Sequence, residues 1–310
     1  MVERSDAFYA GLGVNMHKEA DALIHRLIDF DDYEGSELIM EGDYGNYDQG
    51  MPMEVGYAAC TIVYRILEKA GYNEEALNIV RGLLTDSLYP MVTVLCDVFR
   101  CPGLQPSGKY ATAEDNSLRG LVLLVYAWYS LEATKEFDFF EYVHPLKYGD
   151  DLLAAIKKSK ISVFNGHIYS KFVEEVYGMT YTLASKDAQM VSHLSAKEVT
   201  FLKRRFVYFP KEKKYVAPLD LNSIYKMLQW RIPSRAVSHE EQMLSTLQSC
   251  LNEVFFHFLD EELFHAFRLD LIELVLSEGM FTKEILVAKL PCFDEIYSRI
   301  FGNSAGVQLD

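Results

Sequence analysis

The sequence predicts an α+β protein in which a mixed region of helices and strands gives way, near Pro218, to an all-helical one. Three observations carry that reading. β-Branched residues crowd the stretch 89–99, and apolar runs flank the tight-turn dipeptide Gly149-Asp150. Beyond Leu219, strand signals vanish while helical periodicity persists.

The elements follow in order. Leu23, Ile24, Leu27 and Ile28 give 18–30 a helical face. A short strand over 36–42 delivers Asp43 at its end. Helices over 53–70 and 73–84 meet at Gly71, and Val92, Thr93, Val94 and Val98 make 89–99 a strand. Pro102, Gly103, Pro106 and Gly108 form a loop before a long helix over 111–129. Strands over 142–147 and 152–156 flank the Gly149-Asp150 turn. A helix over 164–177 stops at Gly178, with strands over 180–183 and 200–207 after it. Helices are then expected over 221–230, 239–258, 261–277 and 282–290.

Composition excludes several classes. The 310 residues are 50% hydrophobic and 24% charged, enough to bury one sizeable core or two smaller ones and unlike a disordered chain. No apolar run approaches the ~18–20 residues that span a bilayer; the longest, 121–129, continues a helix pattern. Glu3, Arg4 and Asp6 interrupt any signal peptide. Five cysteines (Cys60, Cys96, Cys101, Cys250, Cys292) without a C-x-x-C pair suit reduced thiols, not a zinc cage or disulfide scaffold. No Walker-A motif occurs, and Glu262 with His265 has no second such pair to build a di-iron site.

The net charge of −15 opposes nucleic-acid binding, but it is unevenly spread. Residues 1–50 hold twelve acids against three bases, whereas 197–214 hold seven bases against two acids. Such a basic stripe is either a solvated face or a grip on a phosphate backbone.

Two acidic clusters carry the chemistry: Asp43-Tyr44-Gly45-Asn46-Tyr47-Asp48 and Tyr148-Gly149-Asp150-Asp151. Phosphoryl transfer needs in-line oxygens and neutralised charge, which two Mg²⁺ ions about 3.5–4 Å apart supply from carboxylates on different strands. Asp43 and Asp150 are suitable donors if their strands are neighbours, with Asp151 as a third. Asp48 lies five residues past Asp43 and need not share the metals; it can accept from a ribose hydroxyl. Thr112 and Asn116 share one helix face, with Ser107 in the loop before them, a donor–acceptor set able to test for a 2′-OH. The plainer alternatives are acids at surface turns, Asp48 as a helix cap and Asn116 as a partner of local backbone.

Taken in order, these motifs resemble the palm and thumb of a viral RNA-dependent RNA polymerase of the picornavirus-like, positive-strand kind. The stretch from Asp43 to Asp48 is similar to the family's first motif. Pro106-Ser107-Gly108 with Thr112 and Asn116-Ser117 is similar to the second, and Tyr148 to Asp151 to the metal-binding hairpin. The stretch from Tyr177 to Lys186 resembles the fourth, and that from Thr200 to Arg204 the fifth. The resemblance implies a right-hand polymerase palm, an antiparallel sheet with packed helices, plus a helical thumb, with the fingers largely missing. It divides the chain into a first palm part (1–53), a palm/fingers insertion (54–105), a second palm part (106–217) and a helical thumb (218–310).

It implies RNA-templated RNA synthesis by two-metal nucleotidyl transfer in genome replication. Asp43, Asp150 and Asp151 would hold two Mg²⁺ ions, with Mn²⁺ as the alternative, and Lys186 would be the general acid. Asp48, Ser107, Gly108, Thr112 and Asn116 would bind the nucleotide and its ribose, and Lys203 and Arg204 the primer. Implied partners are template and primer RNA, nucleoside triphosphates and other viral replication proteins, with no membrane segment of the chain's own. The implied place is a membrane-associated replication complex in the host cytoplasm.

Two features depart from the pattern. Lys109, Glu114 and Asp115 put three charges into the second motif, and Ser185 stands where such enzymes often have Asp. Only 42 residues precede Asp43, so the expectation is the C-terminal portion of a larger polyprotein product, weak or inactive alone. Two rivals stay open: a reverse transcriptase-like polymerase, and a catalytically incomplete fragment that binds RNA or replication proteins.

Overall fold

Helical and alternating patterns sort the chain into the elements below, in a computed structural model that describes residues 8–31, 37–185 and 189–302. The order is α1 (Met16–Ile28), β1 (Ile39–Tyr44), α2 (Tyr47–Gly50), α3 (Met53–Lys69), α4 (Glu74–Leu88), β2 (Met91–Val94), β3 (Asp97–Arg100), α5 (Thr112–Ser130), α6 (Phe139–Tyr142), β4 (Val143–Tyr148), β5 (Asp151–Ile156), α7 (Gly166–Tyr177), β6 (Tyr181–Thr182) and β7 (Thr200–Phe201). Then come β8 (Arg204–Arg205), β9 (Val207–Phe209), β10 (Lys214–Val216), α8 (Leu221–Gln229), α9 (His239–Phe258), α10 (Glu261–Ser277), α11 (Lys283–Lys289) and α12 (Phe293–Phe301).

These elements form two compact units: Met1–Val14 with His25–Leu202, and Asn15–Ile24 with Lys203–Asp310. The division falls at Leu202/Lys203, earlier than the expected change near Pro218. The reason is local to the second unit. Arg204 pairs with Glu253 of α9 at 2.7 Å, and the β9–β10 hairpin adds its buried Phe209 and Val216 to the helical core.

The first unit is built on a four-stranded antiparallel sheet in the order β4-β5-β1-β6. Leu123, Leu124, Ala127 and Trp128 of α5, with Tyr169 and Val173 of α7, are buried in one cluster with Met40, Leu152 and Ala154 of the strands. The strands are covered closely enough that β5 reads Leu-Leu-Ala-Ala-Ile with every one of those residues buried. Helix α7 starts where Asn165 accepts from the Ile168 amide at 3.2 Å and ends at Gly178, whose φ of +65° closes the last turn. In the second unit, α9 opens with a capping box between Ser238 and Glu241, and Asp260 caps α10. Phe255, Phe256, Phe264 and Phe293 centre its core.

The structure corrects two expected strands. The single strand over 89–99 is a hairpin, β2–β3, which turns at Leu95 and Cys96. Both turn residues have positive φ (49° and 73°), a geometry that usually carries Asn-Gly, so composition gives no sign of it. The strand over 200–207 is broken at Leu202 and Lys203, again at positive φ. The β9–β10 hairpin and helix α12 were not expected. All five cysteines are free thiols, and among the described residues no helix is long and apolar enough to cross a membrane.

Candidate active site

Register brings the acidic motifs together. β1 pairs antiparallel with β5, Gly42 opposite Leu152, so one further step sets Asp43 level with Asp151. On its other side Asp43 faces Thr182 of β6. β4 and β5 close at Tyr148↔Asp151, leaving Gly149 and Asp150 as a two-residue turn. Gly149 takes a φ of +60° there, which a side chain would strain. Asp150 is exposed at the turn, while Asp43 and Asp151 are half-buried.

Helix α5 holds this turn. Ser117 accepts the Gly149 amide on its Oγ at 2.9 Å and donates its own proton to the Ala113 carbonyl at 2.7 Å. Beneath the turn, Lys147 is buried at 1% exposure. Its Nζ donates to the Asp150 carbonyl at 2.9 Å and lies 5.0 Å and 5.7 Å from the ring centroids of Tyr44 and Tyr47. Burial pushes its ammonium down to about 7, against the opposing pull of Asp150, Asp151 and Asp43.

The carboxylates form a negative cluster that Lys147 offsets in part. Burial, and then the charges of Asp150 and Asp43, push the Asp151 carboxyl up to about 6. Hard oxygens from the neighbouring strands β1 and β5 and from the β4–β5 turn are the donors that a divalent cation takes, and such an ion would reverse that shift. Among the described residues, no three His, Cys, Asp or Glu side chains close into a finished cage. Mg²⁺ typically needs only one or two carboxylates together with substrate phosphates, so the residues fit it.

The predicted ribose set lies around the start of α5. Tyr47, one residue before Asp48, donates its hydroxyl to the Asn116 carbonyl at 2.6 Å, and the Gln105 amide donates to the Asp48 carbonyl at 2.9 Å. Asn116 Oδ1 is buried and accepts no hydrogen bond among the described residues. Thr112 Oγ1 is spent on the Lys109 carbonyl at 2.6 Å. Ser107 and Gly108 are exposed, Gly108 at a φ of +88°.

The unusual charges of the second motif have a structural use. Asp115 accepts from Lys109 and Gln105 at 2.6 Å each and from Arg119 Nε at 3.2 Å. Burial raises its carboxyl, but Arg119, Lys109 and Gln105 together outweigh that and hold it below the usual range. Arg119 is fully buried and also donates to the Gly103 carbonyl at 3.2 Å. The network therefore ties both ends of the 103–109 loop to α5. Glu114, the third charge of the motif, stays half-buried on α5.

Sequence reasoning missed Glu41, Ser117's contact and Lys147. Glu41, 6% exposed, accepts from Thr200 N (2.7 Å), Thr200 Oγ1 (3.0 Å) and Ala184 N (3.3 Å). Burial raises its carboxyl against those bonds. No local signal marks Glu41 or Lys147, because a charged residue within a strand reads as a solvent-facing position. Lys186 lies outside the described residues. In the second unit, Lys203 is exposed. Arg204 is committed to Glu253 (2.7 and 2.8 Å) and the Ala217 carbonyl (2.9 Å), so it anchors its segment and leaves Lys203 as the open cation of the pair.

Residues 1–260 match the family described as viral RNA-dependent RNA polymerase. The chain is 27% identical over 241 residues to the replicase polyprotein of Drosophila C virus (strain EB), covering 73% of this chain and 13% of that polyprotein. It is 30% identical over 239 residues to the RNA1 polyprotein of Tomato ringspot virus (isolate raspberry), covering 76% of this chain and 10% of that one. Among solved structures it is similar in fold to the Sicinivirus 3Dpol RNA dependent RNA polymerase, with a TM-score of 0.72 and 17% identity. That likeness covers 93% of this chain and 57% of the other.

Proposed function

The chain belongs to the viral RNA-dependent RNA polymerase family, and on that premise we propose that it carries the metal-binding and ribose-selecting centre of an enzyme that copies RNA. The reaction is addition of a ribonucleoside triphosphate to a primer 3′-OH. The observation that carries this reading is the register that sets Asp43 level with Asp151 beside the Asp150 turn.

Two Mg²⁺ ions, when bound, would supply charge neutralisation at the attacking and leaving oxygens. Asp43, Asp150 and Asp151 would hold them, a role supported by the Asp151 carboxyl, which burial first and then the charges of Asp150 and Asp43 push up. The buried Oδ1 of Asn116 offers an acceptor for a ribose hydroxyl, and Asp48, Ser107, Gly108 and Thr112 would complete the nucleotide-binding set. Lys186 would donate the proton taken by departing pyrophosphate. Lys203 would contact primer phosphate, a positioning contact that reads no sequence, with Arg204 as its anchor. By the same family reasoning, the chain works on template and primer RNA with other viral replication proteins, at a membrane-associated complex in the host cytoplasm.

Ribose selection provides the test. Primer extension with competing ribo- and deoxynucleotides should favour ribonucleotides strongly, and Asp48→Ala should narrow that preference by at least tenfold, a loss of about 1.4 kcal/mol of discrimination. Equal use of both sugars by the unaltered protein would overturn the reading in favour of a reverse transcriptase-like enzyme.

A further inference from the structure

Two residues break local rules within one small volume. Lys147 is the only buried lysine among the described residues, and it sits in the strand that leads to the Asp150 turn. Gly120 lies inside helix α5, where glycine costs roughly 0.5–1 kcal/mol relative to alanine. Each explains the other. A Cβ added to Gly120 would stand 2.7 Å from Lys147 Nζ, closer still to its Cε, and 3.1 Å from the Tyr47 hydroxyl. The glycine is the opening through which the lysine passes.

The lysine's backbone is fixed as firmly as its side chain. Lys147 N donates to the Tyr9 carbonyl at 2.8 Å and its carbonyl accepts from Gly11 N at 2.7 Å. Its stem is buried, and its ammonium ends on the Asp150 carbonyl. Gly120 and Ser117 are three residues apart on α5, on one helix face. The turn is thus gripped twice, at the Gly149 amide by Ser117 of α5 and at the Asp150 carbonyl by Lys147 of β4.

A methionine would fill the same space without burying a charge. Replacement of buried ionic groups by apolar ones of like volume is often neutral or stabilising. A core-filling role therefore gives no reason for an ammonium here, whereas the hydrogen bond to the turn does. Resting on the metal-site reading above, we propose that Lys147 is a positioning residue. It sets the backbone of the 149–150 turn so that the Asp150 and Asp151 carboxylates meet a divalent cation together, and Gly120 is the space that admits it.

Mn²⁺ binding to the 310-residue chain, followed by electron paramagnetic resonance, tests this without any need for turnover. Four proteins are compared: unaltered, Asp150→Asn, Lys147→Met and Gly120→Ala, each with its thermal midpoint measured free of metal. Lys147→Met should weaken Mn²⁺ binding by about tenfold, the scale of one hydrogen bond from a charged donor, with the midpoint unchanged or raised. This direction is diagnostic, because removing a positive charge would by itself tighten cation binding. Gly120→Ala keeps the charge but displaces the ammonium, and should weaken Mn²⁺ binding too, so the test survives if one variant fails to fold. Unchanged or tighter binding in the folded variants would overturn the proposal. If the unaltered chain binds no Mn²⁺, or Asp150→Asn binds it equally well, the metal-site reading itself fails and the proposal falls with it.

Discussion

Replacing Glu253 with Gln is expected to destabilise the second unit strongly at neutral pH and hardly at all in acid. Glu253 sits on α9 with its side chain 11% exposed. It accepts from His17 Nε2 at 2.9 Å and from both terminal nitrogens of Arg204 at 2.7 and 2.8 Å. Burial opposes its charge, but the bonds from His17 and Arg204 outweigh burial and bring its carboxyl down to about 2, against an ordinary value of 4.5. At about 1.36 kcal/mol per pKa unit, that difference contributes roughly 3 kcal/mol above the unfolded value. The folded value is the lower one, so the contribution is complete above pH 4.5 and is lost as pH falls toward 2. Glu253→Gln also leaves the Arg204 guanidinium without its counter-charge, a loss of about 3–5 kcal/mol for a buried pair. The two figures describe the same interaction from two sides, so about 3–4 kcal/mol is expected at pH 7. Urea denaturation of both proteins across a pH series, read by circular dichroism, measures the gap. It should shrink steadily as pH falls from 4.5. A gap below about 1 kcal/mol at pH 7, or one that does not change with pH, would mean that Glu253 is not held ionised by His17 and Arg204.

Two further outcomes follow from the first unit. Asp115→Ala strands the fully buried Arg119 and should cost about 3–5 kcal/mol in chemical denaturation; a loss under 1 kcal/mol would mean that the network is solvated. Exchanging Leu95 and Cys96 for Asn and Gly gives the β2–β3 turn the residues its positive φ angles favour, and should stabilise by roughly 1–2 kcal/mol, with a lowered midpoint as the contrary result.

The elements that sequence made legible are those whose ends announce themselves. Helices α9 and α10 fall at 239–258 and 261–277 as expected, because Ser238 with Glu241 and then Asp260 mark their starts. The turn between β4 and β5 was legible because Gly149-Asp150 is a hairpin dipeptide between apolar runs. The β2–β3 turn was not, because Leu95-Cys96 reads as more strand. The charged segment 210–213 likewise hides the β9–β10 hairpin among solvated residues. In the site, Asp43, Asp48, Asp150 and Asp151 stand in recognisable order. Glu41 and Lys147 look like the solvent-facing half of alternating strands. Only the sheet's burial on both faces turns them inward, and that is a tertiary fact no local pattern carries.

The proposed role of Asp43, Asp150 and Asp151 is a metal-dependent centre for nucleotide addition to RNA. The most direct measurement is single-nucleotide extension of an annealed RNA primer with Mg²⁺, comparing the unaltered protein with Asp150→Asn. Even a weak basal rate suffices, because the ratio is what is read. Asp150→Asn should lower the rate by at least about 10³-fold from loss of charge stabilisation at the reacting phosphate. The unfolding midpoint should be unchanged or raised, since one of three mutually repelling carboxylates is removed. An Asp150→Asn protein that extends the primer at the unaltered rate would contradict that role.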